Sequence, residues 1–430
     1  MEDEGEQVDL SLLNYEDKVV LDRLREKGEA WIVGGWVRDV LSNKVPHDID
    51  IATNLRPDEV RAIFPRSIMV GEKYGTAIVR LDDPDYEEYQ CEVTTLREDG
   101  GYADGRRPEN VVFGKEIGND LDRRDFTINA MAIRLSGTLE GESEPVGKLI
   151  DNWNGKADLL EHGVLKAVGD AEKRLGEDGL RVLRAFRFMG QGTDTLRKLD
   201  SDLSRAISSN LEMLGKVSKE RIWVEMQAIL SGQYSKEIIG EMHSYGVLDV
   251  ILPEIAVNLD VLHSGDILVN LALVCSSDVK SGSELSKELT ECLKLSRMEG
   301  SVVALLHNHR NVELDHSPSS IRRFVATISE SNRRRLLSYF EGLGGEIVKF
   351  KNCYNRNQEL RAGSSPLIDG NLLSRMTGIE PGRKLGRLKE WLHRIQVEED
   401  FDDIDSLVSL LDEIDWQGTE YEEWPILSWP

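Results

Sequence analysis

Cysteine is scarce: four in 430 residues, Cys91, Cys275, Cys292 and Cys353, far apart and with no CxxC spacing. That excludes a disulfide framework and a thiolate zinc site, and fits reduced, buried thiols of a cytosolic protein. Long apolar runs are absent too, and none reaches the roughly 18 residues that a membrane-crossing helix needs. The opening MEDEGEQVDL has neither the positive start nor the apolar stretch of a secretory signal. A cytoplasmic location with no membrane partner is expected. The eight histidines show no metal-phosphohydrolase pattern, so no additional hydrolase domain is expected.

Positive charge is missing from both ends. Residues 398–430 hold twelve Asp/Glu and no Lys or Arg, and residues 1–17 hold seven acids and no base. Of the net charge of −25, only −6 therefore falls on residues 18–397. Basic clusters stand out there: Arg106-Arg107, Arg123-Arg124, Arg322-Arg323, Arg333 to Arg335, and Arg383-Lys384 with Arg387 and Lys389. Exposed charges more than about 10 Å apart are screened at ~0.1 M salt, so a nucleic-acid backbone responds to such local fields and not to the total. The tail 398–430 is expected to be a partly disordered solubilising extension, with docking of its Trp416, Tyr421, Trp424 and Trp429 as the less favoured alternative.

What is present is a change of pattern along the chain. Residues 29–93 alternate strand and helix: strands at 31–33, 48–52, 76–81 and 88–93, and helices at 36–41 and from Arg56-Pro57-Asp58-Glu59. Residues 97–110, REDGGYADGRRPEN, lack an apolar period and read as a mobile loop. From about residue 155 Leu, Ile and Val recur at three- and four-residue spacing, a helical pattern. The fold class expected is α+β, a small mixed-sheet head followed by an all-helical remainder.

Chemistry concentrates in Gly34-Gly35-Trp36-Val37-Arg38-Asp39 and His47-Asp48-Ile49-Asp50-Ile51. On a strand, residues two apart face the same way, so Asp48 and Asp50 share one face. Two adjacent carboxylates repel unless a cation lies between them, and hard oxygen donors suit Mg²⁺, which completes its shell with water and substrate phosphates. The glycines let backbone N–H groups approach a polyphosphate at a helix start, and Arg38 lies one turn further in. A lone DxD or a lone Gly-Gly is commonly just surface or turn; their conjunction, strand–GG–helix–strand–DxD within about twenty residues, is far less expected by chance. A third carboxylate is expected there, and Glu92 is the candidate.

The motifs GGWVRD, HDIDIAT, EVTTLR, DLDRRDFTINAMA and GEDGLRVLRAFRF, in that order over residues 29–190, resemble those of the class II tRNA nucleotidyltransferases of the DNA polymerase beta-like superfamily. The likeness continues more weakly through Lys219-Glu220-Arg221-Ile222 and residues 367–392. It implies a head (1–150), a neck with a nucleotide-selecting motif (151–235), a body (236–312) and an RNA-binding tail (313–397), ahead of the acidic extension (398–430). It also implies two Mg²⁺ ions, CTP and ATP as substrates, and tRNA as partner. Carried over position by position, Asp48, Asp50 and Glu92 correspond to the catalytic, metal-binding carboxylates, and Gly34, Gly35 and Arg38 to the triphosphate site. Arg124, Asp125 and Asn129 fall on the sugar and phosphate motif. Asp178 and Arg181 match the base-reading pair, with Arg184 and Arg187 continuing its arginine row.

Hydrogen-bond logic tests the base-reading assignment. At i and i+3, Asp178 and Arg181 are expected to share a helix face. The carboxylate accepts and the guanidinium donates, which matches the edges of cytosine and adenine and mismatches those of uracil and guanine. A surface ion pair is the commoner meaning of such spacing; motif order favours the functional one. CCA addition to tRNA is thus the expected activity, with poly(A) polymerase, a partial CC- or A-adding enzyme and a non-catalytic tRNA-binding protein as alternatives. His307-Asn308-His309 spells a nuclease-like HNH, but three residues in a Leu-rich helical stretch carry little weight.

Overall fold

The computed structural model describes the chain except residues 1–5, 47, 71–74, 82–87, 101–109, 140–144, 262–264 and 346. It divides into two units, Met1–Pro253 and Glu254–Pro430. Among the described residues, no helix is long and apolar enough to cross a membrane.

The first unit is built on strands β1 (Gln7–Asp9), β2 (Ala30–Val33), β3 (Asp50–Thr53), β4 (Ile68–Met69), β5 (Thr76–Val79) and β6 (Cys91–Thr95). A hairpin of β7 (Arg97–Gly100) and β8 (Asn110–Phe113) follows, then β9 (Ala132–Leu135) and β10 (Val146–Ile150). Eight of them form one sheet in the order β1-β10-β9-β2-β3-β6-β5-β4. Only β3 and β6 run parallel; the remaining ladders of this sheet are antiparallel, so the head is a mixed sheet as expected. All four residues of β2 are buried, which suits an Ala-Trp-Ile-Val run at the sheet centre. Beyond Ile150 the chain is helical apart from the short pair Val164–Leu165 and Lys198–Leu199.

Several boundaries differ from the sequence expectation, among them the strand expected at 76–81, which ends at Val79. The strand carrying Asp50 begins at Asp50 and not at Asp48, since Asp48 lies outside the ladder that pairs Val33 with Asp50. The strand expected at 88–93 is Cys91–Thr95, placed by its parallel register with β3. The segment 97–110 is not a loop at both ends: Arg97 to Gly100 pair with Phe113 to Asn110. Backbone pairing there needs no apolar period, so composition alone did not reveal it. Arg106 and Arg107 lie outside the described residues.

The second unit corrects the expectation for the acidic tail. Leu407 and Trp424 belong to a core with Ile368, Leu373, Leu385, Leu388 and Leu392. Trp429 is 7% exposed, with its ring 4.6 Å from Phe324 and 5.3 Å from a stacked His309. Arginines hold the main chain around the two tryptophans. Arg387 donates to the carbonyls of Glu422 (3.0 Å) and Trp424 (2.6 Å), Arg394 to Ile426 (3.4 Å) and Arg323 to Ser428 (3.2 Å). Counting charge missed this because the anchors are apolar rings and neutral carbonyls. Two of the basic clusters, around Arg323 and Arg387, thereby have a structural task. The HNH triplet is structural as well: His307 is fully buried with Nε2 3.1 Å from the Lys280 carbonyl, and Asn308 accepts from the Gly282 N–H.

Candidate functional site

Strand β2 ends at Val33, and Gly34 turns the chain with φ 74° into helix Gly35–Leu41. A side chain at Gly34 would be strained by the positive φ and would displace the Asp50 carboxylate, since its Cβ would lie 2.3 Å from Asp50 Oδ2. The absence of that Cβ lets the Asp50 carboxylate sit against the turn and accept from the Gly35 N–H. Register then places Asp50 directly beside Glu92 on the neighbouring parallel strand.

These two carboxyls are held in an unfavourable place. Burial pushes the Asp50 carboxyl above the usual range, with the charge of Asp48 adding to it and the Gly35 N–H, Arg124 and Arg38 opposing. Glu92 is an exposed residue of β6, and partial desolvation of its carboxyl together with the Asp50 charge pushes it up as well. Both shifts mean that these surroundings disfavour the bare anions, a cost that a nearby cation would offset. Asp48 stands exposed just ahead of the strand. Among the described residues, no three His, Cys, Asp or Glu side chains converge as a ready-made metal cluster.

A second layer surrounds them. Asp125, 7% exposed, accepts from Arg184 Nε at 2.7 Å and from Asn129 Nδ2 at 2.8 Å. Asn129 in turn accepts from Arg38 Nη1 at 2.6 Å. Arg184 beside it and the Asn129 amide hold the Asp125 carboxyl far below the usual range, overcoming the opposing effect of burial. Arg124 donates to the Asn129 carbonyl (3.1 Å) and leans on Asp120 (3.3 Å). Glu225, a buried glutamate of helix Lys219–Leu230 that sequence reasoning passed over, stands 3.0 Å from Arg187 and 3.6 Å from Arg184. At Arg187 the contact is a charge pairing and not an aligned hydrogen bond. The same helix supplies Arg221, which lies in the quoted Lys219–Ile222 motif; that motif was the only sequence signal for this neighbourhood.

The base-reading pair is arranged differently from the expectation. Asp178 is not on a helix: it is the extended residue (φ −150°, ψ 109°) between helix Ala171–Glu177 and helix Leu180–Gly190, where Arg181 lies. The intervening Gly179 and the extended backbone break the helix, so the two residues share no helix face. Asp178 Oδ1 caps the second helix through the Leu180 N–H (3.0 Å), and Oδ2 accepts from Arg221 (2.6 Å). Arg181 donates through Nη1 to Glu177 and to the Arg174 carbonyl (both 2.7 Å), and through Nη2 to the Arg123 carbonyl (3.1 Å).

All the sequence candidates except Glu92 line one cavity of about 880 Å³. Its wall carries eight cationic side chains against five aspartates, although the whole chain is strongly acidic. Phe188, Arg123 and Arg221 are wall residues that the sequence reading had not assigned. A cleft of this sign, with one negative edge at Asp48 and Asp50, suits a polyanion whose charge is partly neutralised by a divalent ion.

Comparison with known proteins adds an independent finding. Residues 30–166 match the family model of the poly A polymerase head domain, and residues 198–259 match that of the probable RNA- and SrmB-binding site of polymerase A. A CCA-adding enzyme of Lactobacillus gasseri is 45% identical over 204 residues, 47% of this chain and 46% of that protein. One from Geobacillus thermodenitrificans is 40% identical over 238 residues, covering 55% and 54%. The sequence match thus spans about half the length of these relatives. In fold, the Bacillus stearothermophilus CCA-adding enzyme in complex with CTP superposes with a TM-score of 0.73 at 24% identity, covering 93% of this chain and 96% of that one. The Thermotoga maritima CCA-adding enzyme complexed with tRNA gives 0.62 at 19%, covering 95% and 98%. At such identities these two likenesses establish the fold.

Proposed function

We propose, from a head that belongs to the poly A polymerase head-domain family and from the site built on it, that this chain adds the CCA 3′ end to tRNA. The observation that carries the reading is the convergence of the glycine turn, the aspartates and the Asp178–Arg181 segment on one cation-rich cavity. Relatives 40–45% identical across this region are named CCA-adding enzymes, which favours CCA over other RNA tailing.

The reaction is attack of the RNA 3′-hydroxyl on the α-phosphate of CTP or ATP, with pyrophosphate as leaving group. Asp48 and Asp50 would hold two Mg²⁺ ions, with Glu92 beside them, and the donor set fits: hard oxygens, two of the carboxyls destabilised as anions by their surroundings. When bound, the ions supply charge neutralisation on the phosphates and a more acidic attacking hydroxyl. Arg38, Arg184 and Arg187 take the triphosphate, and the Gly34-Gly35 turn admits it close to backbone N–H groups. Asp125 and Asn129 hold Arg184 and Arg38 in place.

Base choice follows from donors still available. Three of the five N–H groups of Arg181 are directed at the protein acceptors named above, which leaves two for a base edge. Each Asp178 oxygen accepts one bond and has a further lone pair. The fixed pair therefore accepts from an exocyclic amine and donates to a ring nitrogen, as C and A require. The RNA itself is gripped by shape and phosphates, since an A-form stem exposes little readable base edge to side chains.

The test is direct: purified protein, tRNA ending before CCA, and each labelled nucleotide alone and mixed. CTP alone should add two residues, and ATP should add one only after them. Unlimited ATP addition would identify a poly(A) polymerase, and binding of tRNA without incorporation would refute catalysis.

A further inference from the structure

Three guanidinium groups of the cavity meet one aromatic ring. The Cζ atoms of Arg187, Arg38 and Arg184 stand 4.6, 5.1 and 5.2 Å from the ring centroid of Phe188. Phe188 is 2% exposed, and its ring packs edge-on against the fully buried Phe126, 5.8 Å away at 69°. Arg38 comes from the helix after the glycine turn, whereas Arg184, Arg187 and Phe188 come from helix Leu180–Gly190.

Three like charges this close repel, and the acids beside them do not divide evenly. Asp125 bonds Arg184, and Glu225 stands against Arg184 and Arg187. Arg38 has a neutral hydrogen-bond partner in Asn129. Burial, together with Arg187 and Arg184, makes Arg38 easier to deprotonate than usual, with Asp39 and Asp125 opposing. A further carboxylate would relieve the repulsion, but it would also occupy the N–H edges and cancel the charge that a triphosphate needs. An aromatic face attracts a guanidinium through its quadrupole and leaves the N–H edges clear.

We infer that Phe188 is a positioning residue for the nucleotide triphosphate, whose ring holds Arg38, Arg184 and Arg187 with their hydrogen-bonding edges unoccupied by it. The inference rests on the nucleotide-transfer reading of the cavity and adds to it a residue that touches the arginines and not the reacting atoms. It also separates two tasks on one helix: Arg181 reads the base, and the segment from Arg184 to Phe188 prepares the phosphate seat.

Replacement of Phe188 in the full chain by mono-, di- and trifluorinated phenylalanine tests it, because fluorine drains the quadrupole with little change of shape. Affinity for inorganic tripolyphosphate, and the KM for CTP, should weaken step by step along the series, by about tenfold overall for a few cation–π contacts. The kcat and the preference for C and A over U and G should stay as in the unmodified chain. Phe188→Leu should weaken binding at least as much as the last member of the series. A flat series, or tighter binding on fluorination, in a protein that still binds tripolyphosphate would overturn this role. Failure of the unmodified chain to bind either CTP or tripolyphosphate would overturn the nucleotide reading beneath it.

Discussion

Asp48 and Asp50 occupy different settings, one exposed ahead of β3 and one half-buried against the glycine turn. Both are expected to be indispensable. Asp48→Ala or Asp50→Ala should abolish nucleotide incorporation while tRNA affinity in a filter-binding assay stays within about twofold, because loss of metal stabilisation acts on the transition state. Asp178 gives a different signature. Reversing the polarity of Asp178 and Arg181 would set like charges against Arg221 and Glu177, so the simpler Asp178→Ala is the better probe. With no acceptor to mispair, the incorporation ratio of CTP over UTP should fall by about tenfold or more, given roughly 1–3 kcal/mol per mismatched polar group. A wild-type ratio would remove Asp178 from base reading. Asp125 carries a pH signature as well. Its folded carboxyl titrates far below its unfolded one, so its stabilising contribution is complete above about pH 4, starts to decline below that, and is lost only as pH falls through the much lower folded value. Asp125→Asn should cost about 3 kcal/mol at neutral pH, since Arg184 loses its buried partner. The gap in melting temperature between the two proteins should stay constant above about pH 4 and narrow progressively as pH is lowered below it.

Among the elements, the hairpin of β7 and β8 bears on a separate step. Gly100 pairs with Asn110, so residues 101–109 can be replaced by a two-residue turn without breaking the ladder. If the removed segment serves the switch from C to A, the shortened protein should still add CC and lose most A addition; an unchanged A rate would make it only a connector. How legible these elements were varied with the kind of signal. The glycine turn, β3 and β6 could be read because apolar alternation and punctuation by Gly are local properties. The pairing of Asp50 with Glu92 could not, since parallel register joins residues forty-two positions apart. The helix break at Asp178 was missed because the side chain of Asp178 competes for the helix start, which regular spacing conceals. Glu225 and Phe188 were passed over for another reason: a glutamate and a phenylalanine in a helical pattern look ordinary until the arginines that they face are in view.

On the scale of the whole molecule, charge is sorted and not averaged. A chain of net −25 encloses a cavity wall dominated by guanidinium groups, and concentrates acids in two end segments that contain no Lys or Arg of their own. The C-terminal end is also a packing element. Trp429→Ala should destabilise the unit Glu254–Pro430 by about 3–5 kcal/mol, the usual penalty for emptying a buried aromatic site. Thermal unfolding followed by Trp fluorescence would measure it; a shift below about 1 °C would mean that the ring contributes nothing there.

The arginines that hold residues 422–428 grip carbonyl oxygens, while Glu422 and Glu423 are exposed. A bound peptide is held in the same manner, with two tryptophans as anchors and the backbone as the common handle. The segment is therefore a tethered ligand of its own protein. A short tether holds its cargo at an effective concentration on the order of millimolar. A free peptide of the same sequence would have to exceed that level to displace it, and because the contacts are to neutral oxygens, added salt would help such a competitor little.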